Sequence, residues 1–233
     1  MMKEVYFSCK STCFLTTLYD IMKMLCAGKF LCEDIMRNDR SLLDLPSDYV
    51  KDKHIDLKKD KKVKKHRFII SVVISIVIFS IGCLIVPFSW IHNDEFFLFQ
   101  VSRFLVCFMI FLILPFIIAH ELIHGFFFKR FSGEKANYGF TNLRFYARCK
   151  AYFYRNHYLI ITLSPVILLG VLLLLLSFFL PIGWFWRIYI FQIVNFCIAS
   201  GDIHTAISLR KLSSDTLIWD TGNAVTFYSK VQK

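Results

Sequence analysis

The chain has 233 residues, of which 56% are hydrophobic and 17% aromatic, and its formal net charge is +11. This composition, with a mean hydropathy of +0.54, excludes an ordinary soluble domain and indicates a protein with several membrane spans. The positive charge does not indicate nucleic acid, because nine Lys or Arg residues lie within 51–67, directly before the first apolar run. Such a cluster predicts contact with anionic lipid headgroups, and we expect no nucleic-acid partner.

Three regions follow one another along the chain. Residues 1–67 form a mixed, partly amphipathic N-terminal region that ends in the basic segment, residues 68–210 hold the apolar spans, and 211–233 form a tail. Four spans have the length of membrane helices, and they are predicted at about 68–90, 96–128, 158–180 and 184–209. The predicted fold is therefore an all-α polytopic membrane protein with four transmembrane helices.

The charges of the loops predict the orientation of these spans. The segment 51–67 and the loop 129–157 are strongly basic, and the loop has seven Lys or Arg residues against one acid, Glu134. By contrast, the segment 91–95 is short and acidic. Because basic loops stay on the cytoplasmic side, we expect a multi-pass protein of the cell membrane with both termini in the cytoplasm.

Two short segments on the cytoplasmic side have the period-two pattern of strands. Apolar and polar residues alternate within 143–150, which predicts a strand paired with Tyr138–Phe140. In the tail, residues 217–219 and 225–228 flank a turn that contains Gly222. We therefore expect small cytoplasmic β-hairpins beside the membrane helices.

The second span contains the most informative pattern, His120 and His124 with Glu121 beside the first histidine. Residues i and i+4 share one face of a helix, so both imidazoles can bind one Zn²⁺ ion while Glu121 acts on a water molecule. The alternative is a pair of helix-end histidines that hydrogen-bond to their neighbours. Metal binding is favoured because ionisable side chains are costly in a membrane span.

A catalytic zinc usually has three protein ligands, so a third ligand is expected. Spans two and four are predicted to run in the same direction, which places His120 and His124 about 13 and 7 Å from the cytoplasmic face at a rise of ~1.5 Å per residue. Asp202 lies about 12 Å deep by the same rise and is the predicted third ligand. Pairing with a Lys or Arg is its alternative role. His204 is the alternate ligand, whereas the acids within 91–95 lie at the opposite face.

Other polar or helix-distorting residues lie in the same spans. Asn195 lies seven residues before Asp202, on the same helix face. It is either a contact for substrate or an oxyanion, or a helix-packing amide. Pro115 and Pro165 each remove a backbone hydrogen bond, so each permits a kink. Such kinks are either ordinary features of membrane helices or part of a path for water.

The segment 120–129 resembles the signature of a bacterial family of membrane zincin peptidases, which are related in architecture to the site-2 proteases. The similarity covers roughly 66–228 and includes four further short motifs, at 146–150, 163–165, 200–202 and 215–222. This resemblance implies that the two motif histidines hold zinc, that Glu121 is the general base, and that Asp202 supplies the third ligand. Ser164 stands where the family is expected to have Ala.

Together these features predict a zinc metalloendopeptidase that cleaves a membrane-embedded or membrane-associated protein substrate near the cytoplasmic face. The strand at 143–150 could hold an extended substrate by edge addition. The main alternative is a non-catalytic zinc-binding membrane protein, such as a scaffold, a sensor or an immunity-type protein. A di-iron hydroxylase or desaturase would need several histidine boxes, and the sequence has one. These patterns predict no particular oligomeric state.

Overall fold

The computed structural model of the protein describes residues 41–56, 59–86, 97–141, 144–180, 184–222 and 224–231, with the backbone alone at 56, 97–110 and 144. Two predicted features lie outside these residues, namely the amphipathic segment within 1–40 and the acidic loop 91–95. Residues 40–233 form one compact unit, and this unit carries every candidate ligand.

Five helices account for most of the described chain. They are α1 (Lys61–Ile85), α2 (Phe97–Ser132), α3 (Arg155–Phe179), α4 (Phe185–Ile198) and α5 (Ser200–Leu209). By length and composition, α1, residues 111–132 of α2, and α3 are apolar enough to cross a membrane. The bent pair of α4 and α5 is a fourth span if the two helices are taken together. Three of the four predicted spans therefore overlap helices of suitable length, and the fourth overlaps the bent pair.

The first helix begins inside the basic segment and not at the first apolar residue. Asp60 is its N-cap, and Oδ1 of this side chain accepts hydrogen bonds from the backbone N–H groups of Lys62, at 2.8 Å, and Val63, at 3.2 Å. Such a cap satisfies N–H groups that have no partner within the first helical turn. The helix consequently starts before the predicted span, and exposed lysines extend from its first turn.

The fourth span consists of two helices, because the chain bends by 48° between α4 and α5. At the break, the backbone of Ala199 leaves the regular helical conformation, with φ −73° and ψ 0°. Gly201 follows in the first turn of α5, and a Cβ there would lie 2.6 Å from a guanidinium nitrogen of Arg67. The bend, which the sequence did not indicate, places Asp202 in the first turn of a new helix.

Six short strands are described beside the helices. They are β1 (Tyr49–Asp56), β2 (Asn137–Thr141), β3 (Arg144–Arg148), β4 (Tyr152–Tyr154), β5 (Leu217–Asp220) and β6 (Ala224–Lys230). Four of them form an antiparallel sheet in the order β1-β6-β5-β4, and β2 pairs with β3. The predicted pairing of 143–150 with Tyr138–Phe140 is confirmed, as is that of the two tail segments. The prediction of an all-α protein is wrong in this respect.

Strand β1 lies in the basic segment, for which the sequence predicts only contact with lipid headgroups. It pairs with β6 from Tyr49, opposite Lys230, to Asp56, opposite Ala224. This strand lies at the edge of the sheet, and Ile55 is its only buried side chain among those described. Its other described residues are mostly charged or polar, so the sequence does not show the apolar pattern of a strand. The predicted N-terminal region and the predicted tail therefore share one sheet.

The four-stranded sheet has a well-buried apolar core. The side chains of Phe153, Leu217, Ile218 and Phe227 are each at most 1% exposed. Strand β4 leads directly into α3, since Tyr154 is the residue before the helix begins at Arg155. The sheet core thus supports the helix that packs beside the candidate metal ligands.

Phe227 should contribute strongly to the stability of this sheet. Its ring is 1% exposed, and replacement by alanine should lower the free energy of unfolding by about 3–5 kcal/mol, because the deletion leaves a cavity. The control is Phe140→Ala in β2, where the ring is 57% exposed and a change of about 0.5 kcal/mol or less is expected. Equilibrium unfolding in detergent measures both variants, and equal losses would contradict this account of the core.

Candidate metal centre

The C-terminal half of α2 carries both motif histidines on one buried face. His120 is 1% exposed and His124 is 9% exposed, and their ring centroids lie 5.0 Å apart. This closeness is expected for residues at i and i+4 of a helix. Two buried imidazoles need polar partners, since polar groups without hydrogen bonds or ligands are costly in an apolar helix bundle.

Asp202, in the first turn of α5, is a polar partner of both histidines. Its Oδ2 lies 3.1 Å from Nε2 of His120 and 3.5 Å from Nε2 of His124. One ligand atom from each of the three residues lies within 4.8 Å of the other two. The structure therefore brings together the three residues predicted as zinc ligands.

The donor set and its spacing fit Zn²⁺. Two imidazole nitrogens and one carboxylate oxygen are a usual ligand set of catalytic zinc sites, which leave a fourth position open. In a tetrahedral site with bonds of about 2.0–2.1 Å, the ligand atoms lie about 3.3 Å apart, close to the 3.1 and 3.5 Å found here. Among the described residues, no other group of three or more His, Cys, Asp or Glu has such spacing.

A hydrogen bond fixes the orientation of the His124 ring. Its Nδ1 lies 2.9 Å from the backbone carbonyl oxygen of Ile161 in α3. A carbonyl oxygen only accepts, so Nδ1 carries a proton, and Nε2 is the ring nitrogen that faces Asp202. Histidines that bind metals are commonly oriented by such a bond. For His120, Nδ1 is buried and has no hydrogen-bond partner within the described part of the chain.

Glu121 lies beside the three ligands and is held by the hairpin of β2 and β3. Its Oε2 accepts a hydrogen bond from the backbone N–H of Ala147, in β3, at 2.8 Å. The side chain lines a cavity of about 100 Å³, which is also lined by His124 and Asp202. A carboxylate next to a metal-ligand group and at the edge of an accessible space has the placement of a general base.

Four further ionisable side chains line the cavity, and the sequence predicts no catalytic or ligand role for any of them. They are Arg67 from α1, Tyr146 from β3, Tyr158 from α3 and Asp220 from β5. Arg67 is the only Lys or Arg among the described residues around this cavity. Asp220 lies within the motif 215–222 of the family resemblance, which is the one signal in the sequence that points to it.

Tyr158 and Asp220 form a buried pair at the cavity wall. The Tyr158 hydroxyl donates to Oδ2 of Asp220 at 2.6 Å, and the backbone N–H of Gly222 donates to Oδ1 at 2.7 Å. Burial raises the pKa of the Asp220 carboxyl, and both hydrogen bonds act in the opposite direction. The pair fastens the turn between β5 and β6 to α3, beside the candidate ligands.

Two tyrosines hold the β2–β3 hairpin against its neighbours, each over a glycine of another element. The Tyr138 hydroxyl lies on Gly125 of α2, at a distance that leaves no room for a Cβ. The ring of Tyr146 lies on Gly222, where a Cβ would be 2.6 Å from a ring carbon. The hairpin that holds Glu121 therefore packs against both α2 and the β5–β6 turn.

Gly222→Ala should loosen this contact. Gly222 has φ +78°, a left-handed conformation that costs an alanine about 1–2 kcal/mol, and the added methyl group would also crowd Tyr146. Gly133→Ala is the matched control, because Gly133 has φ +76° but an alanine methyl group there would meet nothing within 4 Å. Equilibrium unfolding should show a larger loss of stability for Gly222→Ala than for Gly133→Ala. Equal losses would mean that crowding of Tyr146 does not contribute to the loss.

The alternate ligand His204 lies on α5 but outside the group of candidate ligands. Its ring stacks on that of His66 in α1, with centroids 6.1 Å apart. Asn195 in α4 is 0% exposed, and its Nδ2 donates to the carbonyl oxygen of Val166 in α3 at 2.9 Å. Neither residue lines the cavity, and Asn195 is placed as a helix-packing amide.

A family model described as "Putative zincin peptidase" matches residues 112–217. The matched segment contains the motif histidines, Glu121 and Asp202, and it ends at the first residue of β5. No curated protein and no solved structure matches the chain. The match supports a zinc-dependent peptidase as the reaction class. Over slightly less than half of its length, the chain is similar to a zincin-type peptidase family.

Proposed function

We propose that the protein is a multi-pass membrane zinc metalloendopeptidase, similar in architecture to the site-2 proteases, that cleaves membrane-associated protein substrates near the cytoplasmic face. The observation that carries this proposal is the convergence of His120, His124 and Asp202, next to a cavity that is lined by Glu121 and by two of these three candidate ligands, His124 and Asp202. The match of residues 112–217 to a zincin-type peptidase family supports it.

The proposed chemistry follows from the placement of Glu121. Zinc, when bound, would supply a Lewis acid that polarises a peptide carbonyl. Glu121 has Oε2 held by Ala147, so Oε1 can accept the proton of an attacking water molecule. The same carboxyl group would then pass this proton to the leaving amine. Arg67, at the same cavity, would stabilise the negative charge that develops on the carbonyl oxygen.

The edge of β3 offers a place for an extended substrate. Ala147 lies opposite Tyr138 of β2, yet its N–H points away from β2 and donates to Glu121. In an antiparallel pair, alternate residues direct their backbone groups to the same side. The backbone groups of Phe145 therefore point the same way as those of Ala147, and both residues line the cavity. Because the N–H of Ala147 is already bonded to Glu121, a substrate strand added at this edge would pair with the backbone groups of Phe145 and the carbonyl of Ala147, and it would pass beside Glu121.

The distribution of charge supports a cytoplasmic location for the site. Four exposed lysines within 61–65 extend from the start of α1, and Lys129 and Arg130 lie in the last turn of α2. Both groups lie at the helix ends that are close to the candidate ligands. By the positive-inside rule, these ends face the cytoplasm, and so do both termini. The same basic residues would contact anionic lipid headgroups.

Cleavage of single-span peptides in vesicles tests the proposed function. The zinc-loaded protein would be reconstituted with a set of such peptides, and the products identified by mass spectrometry. We expect cuts in the cytoplasmic half of the span or just outside it. Removal of zinc by a chelator should stop cleavage, and added zinc should restore it. Cuts confined to the opposite end, or no cut in the whole set, would contradict the proposal.

A further inference from the structure

One backbone carbonyl of α3 receives the hydrogen bond that orients His124. The oxygen of Ile161 accepts from Nδ1 of His124 at 2.9 Å and from the hydroxyl of Ser164, also at 2.9 Å. Both bonds are buried. In a regular helix, this oxygen would instead accept from the backbone N–H of residue 165. Two side-chain donors therefore occupy this oxygen in place of the usual backbone donor.

Residue 165 is a proline, which explains why the carbonyl is available. Proline has no N–H, and its ring clashes with the carbonyl of the residue four positions earlier, which here is Ile161. The ring therefore removes the helical donor and crowds the oxygen. Helix α3 nevertheless continues through Pro165 to Phe179. His124, on α2, donates to the oxygen that lacks this helical donor.

We propose that Pro165 is a positioning residue of the zinc site, and that it acts by leaving the Ile161 carbonyl to His124. The resulting bond holds the imidazole in the Nδ1–H tautomer, so that Nε2 faces the metal position. A carbonyl oxygen has two lone pairs, and His124 and Ser164 occupy both. An N–H at residue 165 would be a third donor, and His124 would lose its orienting bond. This inference rests on the proposed zinc site but does not require peptide hydrolysis.

Pro115 provides a matched control for the loss of a proline in a membrane helix. It lies inside α2 and leaves the carbonyl of Phe111 without a helical donor. The side chain of Phe111 is 72% exposed. Pro115→Ala thus removes the same ring from the same set of helices, but it adds no donor at Ile161.

The test compares two replacements of Pro165 that differ only in the N–H. Pro165→Ala restores this group, whereas lactic acid incorporated at position 165 puts an ester oxygen in its place. The zinc affinity of the full chain in nanodiscs is measured by competition with a chromogenic chelator. We expect Pro165→Ala to weaken zinc binding about 10–100-fold, the usual effect of losing a group that orients a ligand. The ester and Pro115→Ala should both stay within about threefold of the wild type.

Unchanged zinc affinity in Pro165→Ala would overturn the proposal. Equal weakening by the alanine and the ester would also overturn it, because the loss of the proline ring would then explain the weaker binding. Ser164→Ala removes one donor from Ile161 without adding another. It should therefore bind zinc at least as tightly as the wild type, and a loss of about tenfold would contradict competition at this oxygen.

A second measurement separates the role of Pro165 from the zinc site itself. If the wild type bound no zinc, the proposed metal site would fail, and the ring ¹⁵N signals of His124 would then decide the role of Pro165. In metal-free protein, Pro165→Ala should reduce the Nδ1–H tautomer of His124, and the ester should retain it. An unchanged tautomer in the alanine variant would overturn the inference.

Discussion

Glu121→Gln should abolish peptide hydrolysis and leave zinc binding intact. A glutamine amide cannot take a proton from water, so we expect a loss of about 10²–10⁴-fold in turnover, the usual contribution of a general base. The amide oxygen can still accept the hydrogen bond from Ala147, which is 2.8 Å long in the wild type, so the side chain should keep its position. Turnover in vesicles and zinc content per chain are the two measurements.

Glu134→Gln is the matched control for this variant. Glu134 is exposed and does not line the cavity, so the same chemical change there should leave turnover unchanged. Retained cleavage in Glu121→Gln would contradict the role of Glu121 as the base. Loss of zinc from this variant would show that the glutamate acts on the metal site instead.

The same pair of proteins separates the proposed peptidase from a zinc-binding scaffold, sensor or immunity-type protein. Membrane-protein fragments would be compared, across the proteome, between cells that carry the wild type and cells that carry Glu121→Gln. A peptidase should produce a set of new termini in the wild type alone. Identical fragment sets would favour the non-catalytic alternative, provided that both proteins contain zinc.

Asp202→Ala and His124→Ala should each weaken zinc binding by more than about 100-fold, because even groups that only orient a ligand are worth about 10–100-fold. The two side chains meet at 3.5 Å, and Asp202 also lies 3.1 Å from His120. Removal of either one leaves two donors where a stable zinc site has at least three. Chelator competition and metal analysis of the purified variants measure the effect.

His204→Ala tests the alternate ligand on the same helix. His204 lies two residues after Asp202 but stacks on His66, with ring centroids 6.1 Å apart. The variant should therefore keep its full zinc content. If His204→Ala lost zinc while Asp202→Ala kept it, the assignment of the third ligand would be wrong.

Features that depend on local spacing could be predicted from the sequence. The pairing of His120 with His124 follows from the helical period, and the hairpin of β2 and β3 follows from strict alternation. Asp202 meets the two histidines, as a constant rise per residue predicts for two spans that run in the same direction, and the depths in the membrane stay a prediction. The helical period and the alternation are regular properties of the backbone, so they can be recognised without knowledge of the packing.

Features that depend on distant parts of the chain could not be predicted. Strand β1 pairs with β6, which is far away in the sequence. The charged side chains of β1 do not indicate a strand at the edge of a sheet. Arg67, Tyr158 and Asp220 reach one cavity from three different elements. No spacing in the sequence records this convergence, because it depends on how the elements pack.

Some features of the proposed zinc site are visible in the sequence, and others depend on the tertiary structure. Its ligand types and the spacing on α2 are visible in the sequence, since side-chain identity and helical period are local properties. The acceptor that orients His124 is the backbone carbonyl of Ile161, and a carbonyl is present at every residue. Only the packing of α2 against α3 selects this one, at the position where Pro165 has removed the helical donor.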